Sequence, residues 1–259
     1  MRRRPPILAG VFVGAVFVYL FVPLLVMVAF SLHALPRMSF PFEGFSLRWY
    51  DEIFSDTLVV RAFGRSALAA VVTGLVTGVL GLLGALGLVA LGRRTRNAVL
   101  VVALVPLTFP LLLFGIGLAT FYHWVGVGFS LWATIAGHVV VALPFVFLVI
   151  GAALERFRFS LLEAAYDLGA SHIRAFLTIT LPLILPAVLG AMLLAMAISV
   201  DEFIIAFFTA GQQKTLPLLM YGRINQGIDP TLNAIGTILL LATTSLAFVS
   251  ARKTTLGAA

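Results

Sequence analysis

Apolar residues in this chain fall into six long runs, and polar residues lie mainly between the runs. A membrane-spanning helix needs about 20 mostly apolar residues, and each run reaches that length. We therefore predict six transmembrane helices, which tolerate their internal prolines because neighbouring groups satisfy the freed carbonyls. The predicted spans are residues 7–30, 65–91, 98–120, 131–154, 183–204 and 232–251.

Composition supports a membrane protein. The 259 residues are 61% hydrophobic and 10% charged, whereas soluble chains carry about 25% charged residues. No polar linker divides the sequence, so we predict one transmembrane domain over residues 1–259. The chain has no cysteine, which excludes disulfides and thiol chemistry.

The net charge of +7 sits in short clusters between the apolar runs, which indicates topology rather than nucleic-acid binding. Placing both termini in the cytoplasm gives eleven basic residues inside against six outside, as the positive-inside rule requires. The first apolar run, residues 7–30, is longer than the apolar region of a signal peptide, so we predict that it is a retained membrane anchor. The inside set is Arg2, Arg3, Arg4, Arg93, Arg94, Arg96, Arg156, Arg158, Arg174, Arg252 and Lys253, and the outside set is Arg37, Arg48, Arg61, Arg65, Lys214 and Arg223.

The second span carries glycines at near-helical spacing. Small residues let helices approach closely in lipid, so tight packing within one bundle is favoured over a role in dimerisation or gating. These glycines are Gly74, Gly78, Gly81, Gly84 and Gly87.

Residues 155–182, between the fourth and fifth spans, are too polar to cross a bilayer. Apolar positions around residues 161–168 recur at helical spacing, and Gly169 ends the predicted amphipathic helix. Ser171 is placed to cap a second helix that Pro182 bounds. Two such helices suit a groove on another protein, and an ordinary connecting loop with an interfacial helix is an equal alternative.

This loop also carries fixed residue types at fixed offsets. They are Glu163, Ala164, Ala165, Gly169, Ile179, Leu181 and Pro182. The pattern EAA-x3-G-x9-I-x-LP resembles the coupling loop of binding-protein-dependent ABC importer permeases. The resemblance implies an all-α type I importer permease of six membrane helices, whose cytoplasmic coupling helix docks into an ATPase subunit. Replacing Glu163 or Gly169 is then expected to uncouple ATP hydrolysis from transport.

The same family resemblance implies the partners. They are two copies of an ATP-binding-cassette ATPase, which holds ATP and Mg, a second homologous permease, and a periplasmic solute-binding protein. This chain itself is expected to bind no cofactor, to catalyse no reaction and to reside in the bacterial inner membrane. It has no Gly-Lys-Ser/Thr phosphate loop of its own.

The C-terminal half is similar to spermidine/putrescine-type permeases, most of all to the smaller of their two paralogous subunits. The residues that carry this likeness are Ser199 to Phe203, Thr215 to Leu218 and Asp229 to Ala234. The resemblance implies a small cationic solute such as a polyamine. Another small solute, such as a metal cation, an organic amine or an amino-acid derivative, stays open as an alternative.

Asp201 and Glu202 follow the apolar run 189–200. Acidic groups at membrane depth usually face a bundle interior or an aqueous path, where they attract cations. Since adjacent helical positions diverge by about 100°, we expect Asp201 to face the path. Alternatively both carboxylates are solvated, or one pairs with Arg223 or Lys214.

Aromatic residues close to the acidic pair in the sequence are candidate walls for an alkylammonium group through cation–π attraction. When each aromatic residue is considered by itself, anchoring at the membrane interface is the better explanation of its presence. They are Phe203, Phe207, Phe208 and Tyr221.

The four histidines lack the spacing of metal ligands, and no metal site is predicted. His138 lies inside the fourth span, where a hydrogen bond to another helix is expected. A membrane-embedded enzyme or an ion-coupled secondary carrier would each explain the apolar spans, but neither accounts for the motif in residues 155–182.

Overall fold

The computed structural model describes residues 7–36, 42–225, 227 and 230–256, with the backbone alone at residues 7–8 and 254–256. The predictions for Arg2, Arg3, Arg4, Arg37 and Asp229 lie outside the described residues. The chain forms two compact units, one of Met1–Val60 with Met220–Leu240 and the other of Arg61–Leu219 with Leu241–Ala259. That the chain is one domain stays a prediction.

All regular elements of the described residues are helical. Five helices are long and apolar enough to cross a membrane, and a bent pair, α4 with α5, makes a sixth span if it is counted as one. The α-helices are α1 Ile7–Ser31, α2 Arg48–Ser55, α3 Thr57–Val89, α4 Arg93–Leu104, α5 Leu111–Trp124, α6 Leu131–Glu155, α7 Ser160–Asp167, α8 His172–Ala175, α9 Leu181–Asp201, α10 Ile204–Thr209, α11 Leu216–Ile224 and α12 Pro230–Leu256.

The prediction of one continuous third span was wrong. Helix α4 passes into a 3-10 turn at Val105–Thr108, and α5 leaves at an angle of 99°. Proline disfavours helical backbone in the residue before it, and Phe109 is accordingly extended, with φ −84° and ψ 138°, just before Pro110. Pro106 lies inside the 3-10 turn, where it donates no backbone hydrogen bond.

Two other predicted boundaries also shift. Helix α3 begins at Thr57 instead of residue 65, because the Asp56 carboxylate accepts the backbone amides of Leu58 at 2.7 Å and Val59 at 3.4 Å and so caps this end. The predicted fifth span, 183–204, is interrupted after Asp201, and Ile204 starts a separate helix.

Helices α3, α6 and α9 form the core of the second unit. A Cβ atom built on Gly74 or Gly78 would come within 3.0 Å of a methionine side chain of α9, and one on Gly81 or Gly84 would do so with a side chain of α6. These four glycines therefore allow the close packing that the sequence predicted. Gly87 faces open space.

In the first unit, the segment between α1 and α2 folds around a buried histidine. The ring Nε2 of His33 accepts the Glu43 amide at 3.1 Å, and the Trp49 indole donates to the His33 carbonyl at 2.7 Å. Farther along, the guanidinium of Arg223 donates to the carboxylate of Asp56 and forms an ion pair with it. The described part of the segment between α1 and α2 is therefore structured.

Candidate functional site

The motif loop begins with the predicted amphipathic helix, α7, and the glycine after it ends the helix as expected. Gly169 has φ +82°, a left-handed conformation that costs other residues about 1–2 kcal/mol. Its amide donates to Tyr166 at 2.8 Å, and the Ala170 amide donates to Ala165 at 2.9 Å. These two bonds form a Schellman motif, which satisfies the last carbonyls of α7.

The second predicted helix starts where expected. The hydroxyl of Ser171 accepts the Arg174 amide at 3.4 Å and caps α8. Pro182, however, does not bound this helix. The chain continues through a π-helical turn, Phe176–Thr180, into α9, and residues 172–201 qualify together as one span.

The π-helical turn explains how the helix passes a proline. Pro182 lacks a backbone N–H, and its ring would clash with the carbonyl four residues earlier in a regular helix. In the wider turn the Leu181 amide bonds to the Phe176 carbonyl instead.

The seven motif residues are divided between the loop and the helix that follows it. Glu163 and Ala164 are exposed on α7, and Ala165 is partly buried beneath them. Ile179 and Leu181 are partly buried in or next to the π turn, and Pro182 is exposed at the start of α9. The motif thus fixes both the tip of the loop and its join to the span.

Two large apolar side chains project from this tip. Leu168 is 89% exposed and Ile173 is 73% exposed, on either side of the Gly169 turn. Behind them the ring of Tyr166 packs edge-on against His172, with ring centroids 4.7 Å apart. A hydrogen-bonded turn that exposes two large apolar side chains is typical of a surface that a partner covers.

The two carboxylates of the acidic pair have different environments, one buried and one exposed. Glu202 is 8% exposed, and its Oε1 accepts the Ile205 amide at 3.0 Å, which caps the start of α10. Asp201 is exposed at the end of α9 and has no hydrogen bond or ion pair within the described residues. Arg223, one alternative partner for the pair, forms an ion pair with Asp56 in the first unit.

The aromatic candidates have different environments. Phe203 and Phe207 lie 5.7 Å apart between ring centroids, and Phe207 and Phe208 lie 5.1 Å apart. Phe208 also packs onto Gly115 of α5, where an added Cβ would come within 2.7 Å of the ring. Tyr221 is exposed and belongs to the first unit. The structure therefore brings three of the four together.

A buried polar cluster joins α3, α6 and α9. The Nδ1 of His138 lies 2.8 Å from the hydroxyl of Ser199, which donates to Thr73 at 3.4 Å. The predicted bond from His138 to another helix is thereby confirmed. Ser199 and Thr73 were not predicted, because an isolated hydroxyl within an apolar run gives no signal of its partner.

Membrane-spanning helices joined by a structured motif loop define the permease class of ATP-driven importers. Residues 77–253 match the family described as binding-protein-dependent transport system inner membrane component, and the chain belongs to this family. It is therefore a multi-pass inner-membrane permease subunit of an importer.

Two characterised relatives match over most of the chain. The spermidine/putrescine transport system permease protein PotC of Haemophilus influenzae is 30% identical, over 94% of this chain and 95% of that protein. The putrescine transport system permease protein PotI of Escherichia coli K12 is 33% identical, over 90% of this chain and 86% of that protein.

A solved structure confirms the fold. A bacterial ABC transporter involved in the import of the acidic polysaccharide alginate contains a chain that aligns with a TM-score of 0.69. The alignment covers 95% of this chain and 94% of that one, at 16% identity. The likeness is thus one of fold.

Proposed function

We propose that this chain is the smaller permease subunit of a polyamine importer and forms a translocation path together with a second, homologous permease. The names of the relatives PotC and PotI support a spermidine or putrescine class of solute. A metal cation, an organic amine or an amino-acid derivative remains the alternative cargo of the same importer.

The motif loop is proposed to be the contact with the ATPase. The observation that carries this is the exposed pair Leu168 and Ile173, held on either side of the left-handed Gly169. A short helix with apolar side chains at its tip fits a groove on another protein. Glu163, exposed in the first turn of α7, adds a charged contact at the edge of this surface.

The proposed energy source lies outside this chain. Two copies of the ATPase bind ATP and Mg²⁺ and contact the two permeases through their loops, while a periplasmic binding protein delivers the solute to the opposite face. The proposed orientation puts both chain termini in the cytoplasm. Arg93 and Arg94 begin α4, and Arg156 follows α6. The exposed residues Trp124 and Trp132 lie instead at the end of α5 and the start of α6, and aromatic residues of this kind are common at a membrane interface.

Asp201 is proposed to face the solute path. Its carboxylate is exposed on the isolated chain and unpaired among the described residues, whereas Glu202 is used internally as a cap. An unpaired carboxylate at the end of a membrane span is costly unless it faces water or a cation. Phe203 and Phe207 follow it closely and supply apolar faces for the alkyl part of a polyamine.

The test of coupling is ATP hydrolysis stimulated by solute-loaded binding protein. The chain is reconstituted with the products of neighbouring ATPase, permease and binding-protein genes. We expect Glu163→Lys and Gly169→Asp to insert normally but to lose at least about tenfold of this stimulation, since a charged contact at an interface contributes about 2–5 kcal/mol when buried.

Asp167→Lys is the matched control, because Asp167 is exposed on the same helix and is not one of the seven motif residues. It makes a charge reversal of the same size and should keep most of the stimulation. Normal stimulation in both motif variants would remove the loop from the mechanism and leave the family assignment intact.

A further inference from the structure

A cavity of about 580 Å³ lies where the ends of α3 and α6 meet the start of α4. This volume lies within the range of about 300–1,000 Å³ that is usual for small-molecule sites. Its walls are apolar except at two positions, Arg96 and Glu155. The lining residues are Ala85, Leu88, Val89, Arg96, Leu100, Phe147, Leu148, Gly151, Ala152, Leu154, Glu155 and Phe159.

Arg96 supplies an unused donor to this cavity. Its Nε is buried and has no hydrogen-bond partner among the described residues, and the side chain forms no ion pair there, with Glu155 or with any other carboxylate. A buried N–H without a partner costs about 1–3 kcal/mol, and more in a charged group. The Nε of Arg96 is therefore free to bind an acceptor that the described residues do not provide.

The chemistry of the walls limits the occupant. A free inorganic anion would satisfy Arg96 but would leave the surrounding leucine, valine and phenylalanine side chains uncovered. A polyamine would be repelled by the guanidinium. A molecule that joins an anionic phosphate to a hydrocarbon chain satisfies both parts of the lining, and guanidinium binds phosphate with paired hydrogen bonds.

Charge around the cavity points the same way. Arg93 and Arg94 precede Arg96 on α4, and Arg156 follows Glu155 at the end of α6, so three further cations outnumber one carboxylate. Basic pockets between membrane helices on the cytoplasmic side bind anionic lipid headgroups. This excess of basic residues around the cavity is independent of the proposed contact with the ATPase.

We propose that this cavity binds one anionic glycerophospholipid, with its phosphate on Arg96 and an acyl chain against Leu100, Phe147 and Leu148. Phe159, the residue just before α7, also lines the cavity. A bound lipid would thus contact the base of the motif loop as well as the membrane helices.

The test uses the full-length chain, both alone and in the complex that it forms with its partners, in neutral detergent micelles to which dioleoylphosphatidylcholine is added as the uncharged comparison lipid. Dioleoylphosphatidylglycerol is added, and bound lipid is counted by native mass spectrometry. We expect one phosphatidylglycerol per chain to be retained in both preparations. Arg96→Gln should weaken retention by about tenfold, the effect of losing one charged hydrogen bond.

Arg61→Gln is the matched control for charge, since Arg61 is exposed near the start of α3 and does not line the cavity. It should change retention by less than about twofold. A second variant tests the acyl part without removing a charge. At Gly151, which lines the cavity, an added Cβ meets nothing within 4 Å, so Gly151→Leu should fold and fill the space.

Gly87→Leu is the control for Gly151→Leu, because Gly87 faces open space but does not line the cavity. We expect Gly151→Leu to lose the lipid and Gly87→Leu to keep it. Equal retention in Arg96→Gln, Gly151→Leu and the parent would overturn the proposal, and so would loss in Arg96→Gln alone, which would indicate a phosphate contact without an acyl site. Displacement by millimolar inorganic phosphate, equal retention of phosphatidylcholine, or loss of the lipid in the assembled complex would each overturn it too.

Discussion

The carboxylate of Glu202 accepts the backbone amide of Ile205 at 3.0 Å, across the break between α9 and α10. Both residues are buried, so removing the acceptor leaves a buried N–H without a partner. We expect Glu202→Ala to lower the free energy of unfolding by about 1–3 kcal/mol. Glu202→Gln keeps an acceptor oxygen and should lose less than half of this. Denaturation of the purified chain in mixed micelles measures both, and equal losses in the two variants would rule out the capping role.

Asp201 should affect transport instead of stability. The Asp201→Asn variant keeps the shape of the side chain and removes its charge, so it should slow uptake of putrescine or spermidine by about fivefold, an effect of about 1 kcal/mol. Basal ATP hydrolysis and membrane insertion should stay near the parental values. The measurement is uptake of radiolabelled polyamine into proteoliposomes, with Glu202→Gln as the neighbouring control. Parental uptake by the Asn variant would leave the cationic solute supported by the relatives alone.

The glycines of α3 should differ in their tolerance of a methyl group. At Gly81 the added Cβ meets Val146, which is buried and branched and cannot move aside, so Gly81→Ala should destabilise the chain by about 1–3 kcal/mol. At Gly78 it meets the flexible side chain of Met192, and Gly78→Ala should cost less. Gly87→Ala meets nothing and should be neutral or slightly stabilising, since alanine favours a helix. Thermal unfolding of the three variants measures these effects, and the loss of stability should be largest for Gly81→Ala, smaller for Gly78→Ala and absent for Gly87→Ala. Equal losses in all three variants would contradict the packing described here.

The ion pair of Asp56 and Arg223 predicts an effect of acid. Burial alone raises the pKa of the Asp56 carboxyl, but hydrogen bonds from the Leu58 amide and from Arg223 outweigh it, and the net pKa is lowered. A carboxyl whose pKa is lowered on folding stabilises the folded state above its unfolded pKa, about 3.9, and this stabilisation is lost as the pH falls through the folded pKa.

Asp56→Asn should therefore be less stable than the parent at pH 7, and the difference should shrink below about pH 4. Unfolding of the two chains is compared between pH 3 and pH 7. Glu43→Gln is the control, because Glu43 is exposed in the segment between α1 and α2. A difference that does not change with pH would show that the carboxylate charge contributes nothing.

Much of the fold followed from the sequence because its determinants are local. An apolar run long enough to cross a bilayer identifies a span, and a glycine after an amphipathic segment identifies the end of α7. The bend at Phe109 was missed since prolines are common in membrane helices, and their effect depends on the neighbouring packing. Nothing local reveals that Asp56 meets Arg223, which lies 167 positions later.

At the site, the sequence located the motif and the acidic pair but not how they connect. That Asp201 faces the path stays a prediction, and the sequence did not reveal that Glu202, whose backbone is extended after the last residue of α9, accepts the Ile205 amide. The continuity past Pro182 was missed, because a proline after a short helix is an ordinary stop signal, and only the wider turn at Phe176–Thr180 removes its clash.

Because the helix continues past Pro182, residues 172–201 form one continuous helical segment. Thirty residues at about 1.5 Å each extend about 45 Å, from the capped start of α8 to Asp201. At the proposed contact of Ile173 with the ATPase, a small tilt of this helix would become a displacement of several ångströms at Asp201, because no loop lies between the two residues to absorb the motion. The π turn at Phe176–Thr180 and Pro186 inside α9 are places along this helix where the backbone hydrogen bonding departs from the regular α pattern.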